Sequence, residues 1–463
     1  LIFGFLAIFT PCVFPMIPLT VSFFTKGGQQ KGKGTAKALL YGASIVFVYV
    51  ILSLPFYMPG TDPEMLNRVA TGGTLNIIFF VIFVAFAISF FGYYELTLPS
   101  SWANKADAAA DKRGGFLGTV FLAFVLAIVS FSCTGPLLGA VLGESLSKGP
   151  VPITMAMLGF GLGLGLPFAI FAMFPAIMKS MPQSGGWLNT VKVVLGFVEL
   201  GLAVKFLSTA DSVYKLHFIE RETFYLIWII ISFLTAAYLF GLFRFPHDSK
   251  GAKKSITRLV FGAGFLAFAI YLIPGVMHPD KQWWNTNLIA GFPPPADGYS
   301  WYSDEISHFT SYEDALAYAK EHDKNLLVDF TGWGCVNCRK MEEYVWADES
   351  VAPIMAEEFV IASLYVDDRE AVPEKYKGEL KVNGDPMTTV GDKWMKMQIE
   401  KYQEVTQPMY VILDHNENNI SGKANYQTHG NVDAFKTWLE FGKNQYEASK
   451  NTLVIKPEFE IVK

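Results

Sequence analysis

The chain has 463 residues, of which 51% are hydrophobic, and this is more than an ordinary soluble protein carries. Its net charge of −5 comes with no basic field, which argues against a nucleic-acid partner. The seven histidines show no metal-ligand spacing, so we expect no metal site.

Eight apolar segments in the first 275 residues are each long enough to cross about 30 Å of hydrocarbon. They are predicted as membrane spans at 1–24, 36–57, 72–93, 116–143, 152–178, 187–209, 223–243 and 257–275. Because the sequence begins at Leu1 inside the first span, we expect an N-terminal part with a signal peptide to precede it in the full protein.

The loops between the predicted spans alternate in their content of lysine and arginine. The loops after the first, third, fifth and seventh spans are the basic ones. By the positive-inside rule these loops are cytoplasmic. The start of the first span and everything after the eighth are then extracytoplasmic.

The first span contains three prolines around a cysteine: Pro11, Cys12, Pro15 and Pro18. A proline removes a helical hydrogen bond, and hydrocarbon cannot satisfy the freed carbonyl group. Such a break needs protein or a water-filled cavity beside it, which suggests a site that must open. For this segment alone, a kinked structural helix with an inert cysteine is an equally good interpretation.

The fourth span has a similar break, with Cys133 beside Gly135 and Pro136. Each cysteine falls near the middle of its span. If spans one to three and four to six are two units, their odd number of helices makes them inverted repeats, as in alternating-access transporters. We therefore predict inverted three-helix repeats plus two further helices. The alternative is that proline and glycine are simply common in membrane helices.

The character of the sequence changes after the spans. Residues 276–303 contain tryptophans and a triple proline, which predict an interfacial linker. Residues 304–463 are long enough to form a soluble domain with its own core. Alternating helices and strands indicate an α/β fold. Helices are predicted at 312–322, from the C-x-x-C to about 345 and at 432–441, and strands at 325–330, 359–366, 407–413 and 423–426, with 367–404 as a polar insertion.

Cys335 and Cys338 form a C-x-x-C between a predicted strand and a helix, which is the thioredoxin-like redox signature. The helix N-terminus favours a thiolate on Cys335. Cys338, one turn later, is close enough to attack a mixed disulfide. The alternative is half of a zinc site, which needs two further ligands nearby. We expect Arg339 and Lys340 to add positive charge while pointing to solvent.

Two further residues of this domain are candidate supporting groups. Asp329 lies in an apolar strand just before the motif, where a buried carboxyl could take or return a proton. A strand-end aspartate that faces water is the alternative. Thioredoxin folds place a cis-proline opposite the active site, where its neighbouring backbone can pair with a substrate chain, and Pro408 is at the matching place. A trans proline is the default.

The chain resembles the DsbD/CcdA family of transmembrane electron carriers through residues 10–15, 132–136 and, in the sixth span, 199–206. Eight spans followed by an extracytoplasmic thioredoxin-like domain are similar to the arrangement in the family's thiol:disulfide interchange proteins. Those proteins also have an N-terminal immunoglobulin-like domain, which is not in this sequence. We expect it to be cut off or replaced by a separate protein.

The resemblance implies that Cys12 and Cys133 form a reversible disulfide, that Cys335 attacks substrates and that Cys338 resolves the product. It implies a relay in which cytosolic thioredoxin, at about −270 mV and supplied by NADPH, reduces the membrane pair. That pair would reduce the outer pair, which would pass electrons to extracytoplasmic disulfide proteins. An isomerase, a cytochrome c maturation factor, and a peroxide or sulfoxide reductase all stay open as the acceptor.

The resemblance implies no bound cofactor beyond the cysteine pairs. It also implies a multi-pass protein of the bacterial inner membrane, in contact with the lipid bilayer, whose C-terminal domain is periplasmic.

The supporting residues expected in the spans are Pro11, Pro15, Pro136 and Glu199. Glu199 is an acid well inside a span and is a functional candidate by default, although an ion pair with Lys205 or a backbone contact is a close alternative. Two other functions stay open. One is a small-molecule transporter with a fused thioredoxin-like domain, and the other is a quinone-coupled thiol oxidase, which would normally need a C-x-x-C within the bundle.

Overall fold

The computed structural model describes residues 33–57, 72–93, 150–173, 186–246, 255–277, 286–295 and 307–454 except 383, together with positions 4, 5, 8, 123, 124 and 248. Cys12, Cys133 and the prolines beside them lie outside these residues. The chain divides into two compact units: Leu1–Leu66, Ile77–Val204 and Ile230–Ala269 form the first, and Asn67–Asn76, Lys205–Ile229 and Ile270–Lys463 form the second.

Long apolar helices make up the N-terminal part of the described chain. They are α1 Lys33–Ser53, α2 Gly73–Phe90, α3 Pro150–Met173, α4 Gly186–Val213, α5 Arg221–Phe240 and α6 Ile256–Met277. Among the described residues, Gly73–Phe90, Asn189–Val213, Arg221–Phe240 and Ile256–Met277 are long and apolar enough to cross a membrane. The prediction of a helical membrane part is confirmed. The count of eight spans and the inverted repeat stay predictions, because spans 1–24 and 116–143 lie mostly outside the described residues.

Small residues let α1 and α3 approach closely. A Cβ atom added to Gly42 would meet the Ala169 Cβ at 2.9 Å, and one added to Gly165 would meet the Gly42 carbonyl oxygen at 2.9 Å. Packing of this kind is typical of membrane helices, whose association depends on close van der Waals contact rather than on a hydrophobic driving force.

The C-terminal part folds around a five-stranded sheet with the order β1-β3-β2-β4-β5. β3 is parallel to both β1 and β2, whereas β4 is antiparallel to β2 and β5. The elements are β1 His308–Phe309, α7 Tyr312–Glu321, β2 Asn325–Thr331, α8 Val336–Lys340 with a π-helical turn Met341–Trp346, α9 Ala352–Glu358, β3 Phe359–Tyr365, α10 Val390–Tyr402, β4 Met409–Leu413, β5 Ala424–Asn425, α11 Tyr426–His429 and α12 Val432–Val454.

The two faces of this sheet have separate cores, because successive strand residues point to opposite sides. In β2, Leu326, Val328 and Phe330 pack with Trp394 of α10 on one face. Leu327 packs on the other face, in a cluster that includes Trp346, Phe435 and Trp438. By this alternation, Asp329 lies on the same face as Leu327. The π-helical turn Met341–Trp346, which follows the C-x-x-C, covers this face.

Most of the predicted elements of this domain are confirmed. The helix at 312–322 is observed as Tyr312–Glu321, and the Ser311 side chain caps it by accepting a hydrogen bond from the Asp314 N–H. The four predicted strands are present with ends shifted by one or two residues. The final helix is longer than predicted and runs to Val454.

The interpretation of 367–404 as a polar insertion was wrong for its second half. Thr389 and Asp392 form a capping box that starts α10, and Trp394 and Met395 on this helix are buried against the sheet. The predominance of charged residues in this stretch hid a short apolar face. The sheet therefore has helices on both sides.

The packing of α12 against one face of the sheet predicts how two substitutions on this helix affect stability. Phe435 is 0% exposed and Phe441, on the same helix, is 48% exposed. Phe435→Ala should lower the free energy of unfolding of this domain by about 3–5 kcal/mol, because it opens a cavity in a packed core. Phe441→Ala should change it by less than about 1 kcal/mol. Pulse proteolysis of the detergent-solubilised chain in increasing urea measures both values, and equal effects would contradict the assignment of this core face.

Candidate active site

The cysteines of the C-x-x-C form a disulfide at the start of α8. The Cα atoms of Cys335 and Cys338 are 5.3 Å apart. Cys335 is the N-cap residue, and its Sγ accepts a hydrogen bond from the Cys338 N–H at 3.1 Å. Cys335 is half-buried, whereas Cys338 is 1% exposed. The pair is therefore asymmetric, with one sulfur-bearing residue accessible and the other shielded.

A carboxylate from the neighbouring strand holds the turn before Cys335. The backbone N–H groups of Trp333 and Gly334 donate to the two carboxylate oxygens of Asp367, at 2.9 and 3.2 Å. The Trp333 ring stacks on Tyr365, with the ring centroids 3.8 Å apart. Burial raises the pKa of the Asp367 carboxyl, and the hydrogen bonds from the two N–H groups oppose that shift.

Asp329, in β2 before the motif, is buried, with 1% exposure. Its Oδ2 accepts a hydrogen bond from the Ser363 hydroxyl at 3.2 Å, and its Oδ1 has no hydrogen-bond partner among the described residues. Desolvation, followed by repulsion from Glu342, raises the pKa of Asp329 well above its ordinary value, while Arg339 and Ser363 act in the opposite direction. The alternative of a strand-end aspartate facing water is therefore wrong.

The expectation that Arg339 points to solvent is also wrong, because this side chain is 1% exposed. Its Nη2 donates to Glu342 Oε1 at 2.6 Å and to Thr331 Oγ1 at 3.4 Å. A buried cation is stable only beside anions and acceptors. In contrast, the neighbouring Lys340 is only half-buried.

Two other predicted site residues belong to the described chain. The Gln407–Pro408 peptide bond is cis, as expected. Because Met409 pairs with Phe330 in the antiparallel register, Pro408 lies at the end of β2 from which the C-x-x-C turn emerges. Glu199, in α4, is 2% exposed, and its Oε2 has no hydrogen-bond partner in the described part of the chain.

Asp367, Glu342 and Ser363 also belong to this site and were not predicted from the sequence. Asp367 could have been found because it lies two residues after the end of β3, and loops at the carboxyl ends of neighbouring parallel strands converge. Glu342 lies three residues after Arg339, the spacing of an ion pair on one helix face. Ser363 had no comparable signal, because only the register of β2 and β3 places it opposite Asp329.

Among the residues that the structure describes, no group of three or more histidine, cysteine, aspartate or glutamate side chains is placed to hold a metal ion.

Two protein families match separate parts of the chain. Residues 1–210 match the family described as cytochrome c biogenesis protein transmembrane domain. Residues 307–414 match a thioredoxin-like family. The second match covers the sheet and the C-x-x-C.

Similar proteins are named thiol:disulfide interchange protein DsbD. The protein of Haemophilus ducreyi is 30% identical over 385 residues, which cover 79% of this chain and 60% of the relative. That of Actinobacillus pleuropneumoniae is 29% identical over 374 residues, covering 76% and 57%. That of Haemophilus influenzae is 25% identical over 464 residues, covering 95% and 69%. The chain spans a little over half the length of the first two of these relatives.

The buried Arg339–Glu342 pair generates a prediction with an adjacent control. Arg339→Met should destabilise the domain by about 3–5 kcal/mol, because it leaves the Glu342 carboxylate buried without its cation. The double variant Arg339→Met with Glu342→Leu should recover much of that loss, and Lys340→Met should cost less than about 1 kcal/mol. Pulse proteolysis in urea measures all three. A single variant as stable as the wild type would rule out the buried pair.

The raised pKa of Asp329 predicts a pH dependence of stability. The penalty for burying this carboxyl is absent below its unfolded pKa of about 3.9 and grows by about 1.4 kcal/mol per pH unit up to the folded pKa. Asp329→Asn should therefore gain stability relative to the wild type as the pH rises from about 4 towards 7. Urea unfolding at several pH values measures this difference.

Asp348→Asn is the control for that series. Hydrogen bonds from Ser350 lower the pKa of Asp348, so wild-type Asp348 contributes stability that is present above its unfolded pKa. Its replacement should lose stability relative to the wild type as the pH rises, which is the opposite slope. A pH-independent difference for Asp329→Asn would show that folding does not perturb this group.

Proposed function

Because the chain is a DsbD-like protein, with the transmembrane domain of that family followed by a thioredoxin-like domain, we propose that it is a transmembrane protein-disulfide reductase. It relays electrons from cytosolic thioredoxin through Cys12 and Cys133 to Cys335 and Cys338. From there the electrons pass to extracytoplasmic disulfide proteins. The proposed domains are 1–275 for membrane transfer, 276–303 as a linker and 304–463 for the outer redox step.

The observation that carries this proposal is the disulfide at the N-terminus of α8, which directly follows the strand that holds the buried Asp329. Cys335 is the half-buried member of the pair, which suits the residue that meets other proteins. Cys338 is buried, which suits the residue that only attacks within the chain. Thiolates at helix N-termini are favoured by the helix dipole and by free N–H groups.

The outer step proceeds through a mixed disulfide. The Cys335 thiolate attacks one sulfur of the substrate disulfide, forms a bond to it and displaces the other substrate sulfur as a thiolate. Cys338 then attacks the Cys335 sulfur, which closes the Cys335–Cys338 disulfide and releases the second substrate thiolate. Two electrons pass to the substrate, and its two sulfurs take up two protons.

Asp329 is proposed to assist by exchanging a proton with the resolving cysteine. Its raised pKa brings protonation of this carboxyl closer to neutral pH than for an exposed aspartate. A carboxyl that exchanges a proton at the working pH can accept one from Cys338 as its thiol becomes a nucleophile. The thiol in turn regains a proton when the disulfide is next reduced.

The inward end of the relay depends on residues outside the described part of the chain. We propose that Cys12 and Cys133 form a reversible disulfide that cytosolic thioredoxin reduces, with Pro11, Pro15 and Pro136 breaking the helices beside them. Glu199 is a candidate for the same step, and its burial in α4 supports that role.

The proposed location is the bacterial inner membrane, with the C-terminal domain in the periplasm. The distribution of basic loops supports this orientation, because it assigns the loop before Arg221 and the C-terminal domain to the same side. The contact of Lys215 in that loop with Asp368 and Glu370 is compatible with it.

The relay predicts the effect of removing either membrane cysteine. In cells that carry Cys12→Ala or Cys133→Ala, the Cys335–Cys338 pair should accumulate as the disulfide, because its source of electrons is cut. Alkylation of thiols in acid-quenched cells, followed by a gel-shift measurement, gives the reduced fraction. A Met16→Ala variant in the same apolar segment serves as the control and should keep the pair reduced. A reduced pair in both cysteine variants would reject the relay and favour a transporter.

A further inference from the structure

Three ion pairs, made by Lys215 and Arg221, join the thioredoxin-like fold to the short connection between α4 and α5 and to the first residue of α5. Arg221 Nη2 lies 2.7 Å from Glu343 Oε1. Lys215 Nζ lies 2.6 Å from Glu370 Oε2 and 3.0 Å from Asp368 Oδ2. All five residues belong to the second compact unit. The connection, residues 214–220, and the first residue of α5 thus contact the fold at two separate places.

The connection is held in a defined conformation. The Asp211 carboxylate accepts hydrogen bonds from the N–H groups of Phe218 and Ile219, at 3.2 and 3.0 Å. Lys215 and His217 have φ values of 53° and 58°, in the left-handed region that side chains other than glycine rarely adopt. Such conformations persist only where the surrounding structure determines them. The backbone of the connection that contains Lys215 and leads to Arg221 therefore has a defined conformation.

The two contacts flank the C-x-x-C. Glu343 directly follows Glu342, the partner of Arg339 beneath the motif. On the other side, Asp368 directly follows Asp367, which holds the N–H groups of Trp333 and Gly334. Each attachment point is thus one residue away from a carboxylate that shapes the active site.

Gly291, in the linker, also contacts α8, the helix that begins after Cys335. A Cβ atom added to Gly291 would meet the Val336 Cγ1 at 2.8 Å, and Val336 is the first residue between the two cysteines. The adjacent Phe292 ring lies 5.6 Å from the Trp228 ring of α5, measured between centroids. The linker thus packs between α5 and the helix that carries the disulfide.

We propose that Lys215 and Arg221 form a two-point docking site that holds the thioredoxin-like domain in the orientation for receiving electrons from the membrane part. This inference rests on the proposed relay. Arg221 and Glu343 are the buried point, with side-chain exposures of 15% and 5%. Lys215 is the outer point, with a side-chain exposure of 36%.

The difference in burial assigns different roles to the two points. A buried ion pair is weak evidence for stability, but it opposes arrangements that leave one of its charges unpaired. The Arg221–Glu343 pair therefore selects one orientation. The outer pairs of Lys215 are accessible to ions and are screened by salt. They can be broken when the domain must turn to an extracytoplasmic protein.

Docking is tested on the purified full chain by zero-length cross-linking with a water-soluble carbodiimide. This reagent joins an amine to a carboxylate in direct contact, so an amide between Lys215 and Glu370 or Asp368 is expected in tryptic peptides. Its yield should fall at least about threefold between 20 mM and 500 mM salt, because the contact is partly exposed.

The pair Lys401–Glu417, at 3.0 Å within the thioredoxin-like fold, is the internal control for reagent activity. Lys215→Arg keeps the charge but removes the reactive amine, so it should abolish the cross-link. If the control amide forms and the Lys215 amide does not, the docking site is overturned.

The role of docking in the relay is tested by charge exchange in cells. Lys215→Glu should lower the ratio of reduced to oxidised Cys335–Cys338 by about threefold or more, because it places like charges at the outer point. Lys215→Glu combined with Glu370→Lys and Asp368→Asn should restore the ratio, which loss of folding would not do. Lys401→Glu, at the exposed pair with Glu417 outside the docking site, should leave the ratio unchanged. Arg221→Glu, alone and with Glu343→Arg, repeats the test at the buried point.

The outcomes separate this inference from the proposed function. If the cross-link forms but neither charge exchange changes the redox ratio, docking has no part in electron delivery and the inference is wrong. If the cross-link forms while Cys12→Ala leaves the outer pair reduced, the relay fails and the docking contact stands without it.

Discussion

One buried guanidinium organises the charges around the disulfide. Arg339 forms an ion pair with Glu342, and its positive charge also lowers the pKa values of Asp329, Glu343 and Asp367 against the effect of their burial. Several buried carboxyl groups near one another could not remain stable without such a cation. Arg339 is therefore a cation shared by the carboxyl groups around the motif, while Glu343 is paired with Arg221 and Asp367 accepts two backbone hydrogen bonds.

This network connects the chemistry to the fold. Asp329 comes from β2, and Asp367 follows β3. Arg339 lies in α8, and Glu342 lies in the π-helical turn that continues it. The strand alternation turns Asp329 toward the side of the sheet that this chain covers. A change in the packing of the chain over the sheet would therefore alter the electrostatic surroundings of both cysteines, without any change in the cysteines themselves.

The same network reaches the connection between α4 and α5. Glu343 is paired with Arg221, while Glu342, beside it in the chain, is paired with Arg339. In the proposed relay, this domain has to present one sulfur to two sets of partners in turn. Glu342 and Glu343 are neighbours in the chain, so the active site and the proposed docking site are linked through adjacent carboxylates.

The sequence alone was sufficient for features that depend on local composition and spacing. The apolar segments, the C-x-x-C between a strand and a helix, the cap at Ser311 and four of the five strands follow from patterns of a few residues. The edge strand β1 has only two residues and was not predicted. The burial of Asp329 was predictable because its strand neighbours are apolar.

Only the tertiary structure determined which charged side chains are buried. Arg339 and Lys340 both follow the motif, and their sequence neighbours do not indicate which of them is buried. Arg339 is the buried one, whereas Lys340 is half-buried. The difference arises because Thr331 and Asp329 come from a strand packed beneath that helix face. Ionic groups are buried only where distant parts of the chain supply partners, so their positions follow from packing and not from neighbouring residues.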